Sequence, residues 1–279
     1  MRISVGCGRG SPRTRMPELR MRVIVLAAIV VAASTSVGEA PAPVLSAELV
    51  DLHAQARQGE AEAQASLGFT YRRGEGVLQD DAAAAGWFRA AAEQGHAAAQ
   101  FNLGFHYREG RGVPQDDGRA IRWYRRAAEQ GDADAQNNLA GMYARGDGVA
   151  PNGPEAVRWW TLAAEQRHAL AQYNLGFMYG DGLDLPGSHA ETVPADGLAA
   201  SDPGTPGDGS GPADADARTV PQDYVRAYMW LILASRHGTG AVRDGAMQGR
   251  VRAERNMTPA ELAEARRRAR EWRPAPAAR

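Results

Sequence analysis

The chain repeats itself every 36 residues, and this period constrains its fold more than any other feature of the sequence. A glutamine, a leucine and a tyrosine each recur at that spacing through four units. The recurring residues are Gln64, Gln100, Gln136, Gln172, Leu67, Leu103, Leu139, Leu175, Tyr71, Tyr107, Tyr143 and Tyr179. Self-similarity with a period between about 20 and 50 residues is typical of repeat architectures. We therefore predict an array of copies of one structural unit.

Each unit is predicted to form two helices. Ala63, Leu67 and Tyr71 are spaced by four residues, which places them on one face of a first α-helix. A glycine-rich turn follows at 74–77, and a second helix then carries Trp87. A helix pair cannot bury its apolar face alone, so the pairs must stack. Aromatic residues make up only 7% of the chain and alanine is abundant, which favours helices over β-sheet. The predicted fold class is all-α, an α/α solenoid.

A glycine follows the repeated leucine inside the first helix of three units. These glycines are Gly68, Gly104 and Gly176, and Ala140 takes the same place in the third unit. A glycine in mid-helix costs about 1 kcal/mol relative to alanine. Its recurrence at one phase predicts that a neighbouring helix approaches closely there.

This pattern resembles the Sel1-like repeat family, which is related to tetratricopeptide repeats. The matching motifs are Ala-x-x-x-Leu-Gly-x-x-Tyr, Gly-x-Gly-Val, a tryptophan and Ala-Ala-Glu-Gln-Gly, and they recur within residues 46–238. The resemblance implies an α/α solenoid that mediates protein–protein contacts, and exported bacterial members imply a role in the cell envelope. One cysteine-rich subgroup is linked to penicillin binding or hydrolysis. That role does not carry over, because Cys7 is the only cysteine of the chain.

The repeat limits divide the chain into segments. Residues 39–60 are predicted to form a linker and an N-terminal capping helix, and 61–238 four helix pairs. An insertion over 184–218, acidic and rich in glycine and proline, interrupts the fourth pair, and its composition predicts a disordered loop. Residues 239–273 are predicted to form C-terminal capping helices, and 274–279 a disordered tail.

Residues 1–38 are predicted to be a secretory signal peptide. Basic residues at 20–22 precede a short apolar run at 23–31, and small residues follow. The run is shorter than the roughly 20 residues that span a bilayer. We therefore expect a periplasmic or secreted protein with no transmembrane segment after cleavage. Translation from Met16 or Met21 is one alternative, and a buried N-terminal helix is another.

A second face of the first helices is the candidate partner-binding surface. If Leu67 and Tyr71 face the core, residues one or two positions away from them along the helix lie on a different face. In the related tetratricopeptide fold, such positions line a concave groove. The candidate residues are Phe69, Arg72, Phe101, Asn102, Phe105, Arg108, Asn137, Asn138, Tyr173, Asn174 and Phe177. Aromatic and arginine side chains are favoured interface anchors, and asparagines can hydrogen-bond the backbone of an extended peptide.

The alternative is that these residues are structural. In that case Phe69, Phe105 and Phe177 fill the core between repeats, and the asparagines cap or bridge neighbouring helices.

The sequence carries no motif for catalysis, cofactor binding or metal binding. The chain has no lysine, which excludes a lysine nucleophile and a P-loop lysine, and neither HExxH nor GxSxG occurs. The six histidines are spread over different units, and a net charge of −1 gives no indication of a nucleic-acid partner. We therefore predict a protein without enzymatic activity or cofactor.

We predict an interaction scaffold or adaptor of the cell envelope that binds a protein or peptide in the groove and regulates a complex. One alternative is an envelope hydrolase acting on peptidoglycan or a related amide, and another is a purely structural spacer. An arginine-rich C-terminal helix is predicted from Thr258 to Trp272. Its arginines are either solvated or in contact with an anionic surface.

Overall fold

The computed structural model describes residues 46–181 and 220–275, and within these ranges every regular element is an α-helix. The predicted signal peptide and the predicted acidic loop lie outside the described residues. The helices in the described ranges are α1 (Ala47–Arg57), α2 (Ala61–Arg73), α3 (Asp81–Glu93), α4 (Ala97–Glu109), α5 (Asp117–Glu129), α6 (Ala133–Arg145), α7 (Gly153–Glu165), α8 (Ala169–Asp181), α9 (Tyr224–His237), α10 (Gly240–Glu254) and α11 (Pro259–Glu271).

The helices pack as consecutive pairs stacked into a solenoid, which confirms the predicted fold class. The first pair is α2–α3, the second α4–α5, the third α6–α7 and the fourth α8–α9. The second helix of each pair also packs against the first helix of the next pair, and we call that contact a joint. Helix α1 packs against α2 in the manner of a lone second helix.

Side-chain caps set where the helices begin. Each second helix starts after a residue whose side chain accepts from a backbone N–H of the first turn, and these residues are Asp80, Asp116, Asn152 and Asp223. Pro154 lies in the first turn of α7, after the cap of Asn152. The first helices α2, α4 and α6 end at glycines with positive φ, a conformation that glycine adopts without strain.

The repeated mid-helix glycine lies where the second helix of the same pair crosses the first. A Cβ atom on Gly68 would lie 2.5 Å from the Phe88 ring, and one on Gly104 would lie 2.9 Å from the Tyr124 ring. Both distances are shorter than van der Waals contact. The predicted close approach is therefore confirmed, and the absence of a side chain lets the large residue of the partner helix pack into the core.

Buried glutamines connect the pairs through hydrogen bonds. Gln64 Nε2 donates to the carbonyl oxygen of Ala56 at the end of α1 (3.0 Å), and Gln64 Oε1 accepts from Gln94 Nε2 at the end of α3 (2.7 Å). The same two bonds recur at the next two pairs, while the fourth pair places a histidine in the donor position. The residues that repeat the bonds are Gln100, Gln136, Gln172, Ala92, Ala128, Ala164, Gln130, Gln166 and His237.

The C-terminal helices close the stack. Helix α11 begins with a capping box, in which Thr258 and Glu261 bond each other's backbone N–H. Helix α11 packs against α9, and Trp272 at its end lies 5.7 Å from His237 and 6.3 Å from Trp230 between ring centroids. Helix α10 packs against both helices of the fourth pair.

Replacing Gly68 by alanine should destabilise the chain, although alanine is the better helix former. The new Cβ would overlap the Phe88 ring, and such overpacking costs about 1 to 3 kcal/mol. Gly86 on α3 is the matched control, because a Cβ there meets nothing within 4 Å. Gly86→Ala should stabilise by about 0.5 to 1 kcal/mol. Urea unfolding followed by circular dichroism measures the free energy of unfolding of both variants. Equal changes in the two variants would contradict the described packing.

Candidate functional site

The eleven candidate residues lie on α2, α4, α6 and α8, and we call the surface that they form the first-helix face. Successive first helices are neighbours on this face. Asn174 Nδ2 on α8 donates to Asn137 Oδ1 on α6 at 3.2 Å, so side chains of adjacent pairs meet there directly. The solenoid thus brings together residues that are one or more repeats apart in sequence.

Five of the candidate residues are buried within the chain. They are Phe101, Asn102, Phe105, Asn137 and Phe177, each less than one-tenth exposed. Six are partly exposed, and they are Phe69, Arg72, Arg108, Asn138, Tyr173 and Asn174. These six side chains keep part of their surface in solvent.

Arginines lie against the phenylalanines of the first-helix face. The guanidinium carbon of Arg72 lies 5.3 Å from the centroid of the Phe69 ring, and that of Arg111 lies 5.6 Å from the centroid of Phe105. These distances fall within the range of cation–π attraction. The Phe69 ring also meets Phe88 edge-on at 5.1 Å, which anchors it to the core on one side.

The asparagines do not form one uniform row. Asn102 Nδ2 donates to the carbonyl oxygen of Ala98 in its own helix at 2.7 Å, so its amide is already bonded. Asn137 accepts from Asn174 and thereby bridges two pairs. The bond between Asn137 and Asn174 matches the bridging role given above as the alternative, whereas Asn138 is partly exposed.

Helix α10 covers the part of the first-helix face that belongs to the fourth pair. A Cβ on Gly245 would lie 2.8 Å from the Tyr173 ring, and one on Gly249 would lie 3.1 Å from the Phe177 ring. Arg252 places its guanidinium carbon 5.9 Å from the centroid of Phe177. The chain's own helix thus occupies this end of the face, a contact that the repeat pattern did not reveal.

A polar cluster on α4 and α5 includes Arg108 of the first-helix face together with Glu109 and Tyr124. Arg108 Nε is 3.8 Å from Glu109 Oε1, and the Glu109 side chain is almost fully buried. Burial raises the pKa of Tyr124, and the positive charge of Arg108 opposes that shift only in part. Tyr124 therefore stays neutral across the physiological range.

Two histidines form matching contacts outside the first-helix face. His96 Nδ1 accepts from the backbone N–H of Ala99 at 3.2 Å, so its Nε2 carries the proton that bonds Glu62 Oε2 at 3.0 Å. His168 repeats this arrangement with Ala171 and Asp134. The bond from His168 lowers the pKa of the Asp134 carboxyl. Both histidines serve as helix caps that tie neighbouring first helices together.

The arginines of α11 are largely paired within the chain. Arg267 Nη2 and Arg268 Nε lie 2.8 and 2.7 Å from Glu264 Oε1, and Arg266 Nη2 lies 3.5 Å from Glu254. Across the described ranges, no three His, Cys, Asp or Glu side chains are grouped to hold a metal ion. No helix among those described is long and apolar enough to cross a membrane.

Comparisons with known proteins agree with this architecture. A family model described as Sel1 repeat matches residues 61–96, 97–132, 133–168, 169–191 and 216–239. No curated protein matches the chain.

Two solved structures show the same kind of fold. One is a protective antigen present in uropathogenic Escherichia coli strains and displays an SLR fold, with 34% identity and a TM-score of 0.54. The similarity covers 70% of this chain but 34% of that protein, so this chain spans about a third of its length. The other is a Sel1 repeat protein from Oxalobacter formigenes, with 25% identity, a TM-score of 0.53 and coverage of 77% and 81% respectively.

Phe177→Ala should destabilise the chain more than Phe69→Ala. Phe177 lies buried under α10, and emptying such a site costs about 3 to 5 kcal/mol. Phe69 keeps part of its surface in solvent, so its truncation should cost less than about 2 kcal/mol. Urea unfolding of the two variants makes the comparison. Equal losses would mean that Phe69 belongs to the core and is unsuitable as a ligand contact.

Proposed function

The chain belongs to the Sel1 repeat family, and on that premise we propose that it is an interaction scaffold that binds a protein or peptide on its first-helix face. Sel1 repeats commonly serve as protein-interaction scaffolds. The observation that carries the proposal is the set of partly exposed side chains that successive first helices contribute to one face.

The partly exposed residues have the chemistry of an interface. Phe69 offers an apolar ring edge, Arg72 on α2 places its guanidinium group against that ring, and Arg108 provides a guanidinium group on α4. Asn138 and Asn174 provide amides on α6 and α8. Aromatic and arginine side chains supply most hot spots of protein interfaces, and amides can bond the main chain of an extended segment. We infer that the ligand is an extended segment lying across the first helices.

The ligand engages the first three pairs rather than the fourth. Helix α10 already packs on Tyr173 and Phe177, and binding there would require α10 to leave. The buried residues Phe101 and Phe105 support the face from beneath and do not touch the ligand in this proposal. The ligand-contacting set is thereby reduced to Phe69, Arg72, Arg108 and Asn138.

We also propose that the scaffold acts after export, in the periplasm or outside the cell, and regulates an envelope complex. The basic residues followed by the short apolar run at 23–31 support this proposal. N-terminal sequencing of the protein purified from cells tests it. A mature N-terminus near Glu39 is expected, whereas a chain that keeps residues 1–38 and stays in the cytoplasm would contradict export.

Site-specific photocrosslinking in cells tests the binding face. A photoreactive residue at Asn138 should give a discrete adduct with a partner, because Asn138 lies on the proposed contact surface. The same residue at Arg122, which is exposed on the second helix α5, is the matched control and should give none. Adducts of the same size from both positions, or none from Asn138, would contradict the proposal.

Capture of that partner should depend on Phe69. Phe69→Ala should lower its yield about tenfold, the effect of losing an anchor worth about 1.4 kcal/mol. Leu162→Ala is the control, since Leu162 is exposed on the second helix α7. Leu162→Ala should leave capture unchanged. Unchanged capture by Phe69→Ala with an intact circular dichroism spectrum would remove Phe69 from the interface.

A further inference from the structure

His106 is fully buried on α4 at the joint between the first and second pairs. Its Nδ1 lies 2.8 Å from the carbonyl oxygen of Arg111, so Nδ1 carries the proton and donates. In the neutral ring, Nε2 is then a bare acceptor, and it has no hydrogen-bond partner among the described residues. The ring therefore uses one of its two nitrogens and leaves the other without a bond in the interior.

The surroundings of the ring favour its neutral form. The Phe88 and Phe105 rings lie 5.5 and 6.3 Å away between centroids. The charged groups that act on the ring are Arg72 at the end of α2, Asp81 at the start of α3 and Arg111 after α4. Burial is the largest effect and lowers the pKa of His106 below its ordinary value of 6.5. The hydrogen bond to the Arg111 carbonyl and the attraction of Asp81 act against burial, the charges of Arg72 and Arg111 act with it, and the net shift of the His106 pKa is downward.

The third and fourth pairs place apolar side chains at the phase of His106. Met142 and Met178 are 36 and 72 residues further on, and neither is exposed. Both methionines satisfy the same packing position without any ionisable atom. The position therefore accepts methionine in this fold, and the joint between the first two pairs differs from the later ones by a titratable ring.

We propose that His106 makes the joint between the first and second pairs sensitive to pH, because its neutral ring closes the joint and its protonation loosens it. A proton added at Nε2 places a positive charge in a site lined by phenylalanines and flanked by two arginines. Burying a charge without a matched partner is unfavourable, so the joint opens to hydrate the ring.

The pH range follows from the direction of the shift. Between pH 6.5 and the lower pKa of the folded state, the unfolded chain binds a proton at His106 that the folded chain does not. Stability therefore falls as the pH falls through this range, by at most about tenfold in the unfolding equilibrium constant per pH unit. Below the pKa of the folded state, His106 causes no further loss.

The switch acts next to the proposed ligand site. Phe105 follows His106 on one side of the joint and Phe69 meets Phe88 on the other, so loosening the joint disturbs the base of the first-helix face. That consequence for binding rests on the function proposed above. The pH response of the joint itself is a property of the free chain and does not depend on any ligand.

The test compares the full chain with its His106→Met variant, which copies Met142 and Met178. Urea unfolding is measured from about pH 7.5 to about pH 5.5. Acidification should weaken the parent chain more than the variant, by up to about tenfold per pH unit in the unfolding constant. Hydrogen exchange of α2 to α4, corrected for its intrinsic pH dependence, should accelerate in the parent chain alone.

His106→Gln is the second variant, because its amide can keep a donor near the Arg111 carbonyl and does not titrate. His106→Gln takes the place of His106→Met in the test if His106→Met does not fold. The stability of His106→Gln should show the same loss of pH dependence. His168→Asn is the control, since His168 is a partly exposed cap that bonds Asp134 between the third and fourth pairs, and it should keep the parent response of α2 to α4. Equal pH dependence in the parent and both His106 variants would overturn the proposal, as would an NMR titration of the His106 ring at or above pH 6.5.

Discussion

The buried glutamine near the start of each first helix is the interaction on which the stack depends. Its Nε2 donates to the carbonyl oxygen at the end of the second helix of the preceding pair. Its Oε1 accepts from an amide at the end of the second helix of the same pair. Both bonds form only when the second helices of two neighbouring pairs lie at the distance and in the axial register that the structure shows. Leaving such a buried group unbonded costs about 1 to 3 kcal/mol, so every misaligned stacking is disfavoured at each joint. In the fourth pair His237 supplies the donor through Nδ1, because Gln172 uses its amide N–H for Ala164.

Close contacts between backbones act together with these hydrogen bonds. Within a pair, Gly68 or Gly104 allows an aromatic ring to lie against the first helix. Between pairs, Gly112 lies so close to the backbone of Asp81 that a side chain at that position would overlap it. Because the spacing is set in this way, the first helices line up on one face, and their partly exposed side chains form the surface proposed to bind a partner. The same close packing excludes solvent from the His106 ring.

Much of this architecture could be predicted from the sequence, because the constraints that set it repeat at a fixed interval. The recurrence of glycine at the position of Gly68 predicted a close helix approach, and the Phe88 ring lies there. The covering of Phe177 could not be predicted in this way. It depends on α10, which lies outside the repeat pattern and reaches Phe177 only through the fold. The available signal was the pair Gly245 and Gly249, whose spacing of four residues presents a flat helix surface. Local spacing also does not distinguish buried Phe105 from partly exposed Phe69, because the neighbours of each ring come from other helices.

Removing one buried glutamine from the middle of the stack tests most directly whether the glutamine hydrogen bonds hold neighbouring pairs in register. Gln100→Leu removes both hydrogen bonds of one buried glutamine, whereas Gln130→Ala removes only the solvent-exposed donor of the second bond, which water can replace. Urea unfolding should show a loss of about 2 to 4 kcal/mol for Gln100→Leu and less than about 1 kcal/mol for Gln130→Ala. If Gln100→Leu is as stable as the parent chain, the glutamine bonds do not hold the pairs in register, and the central claim is wrong.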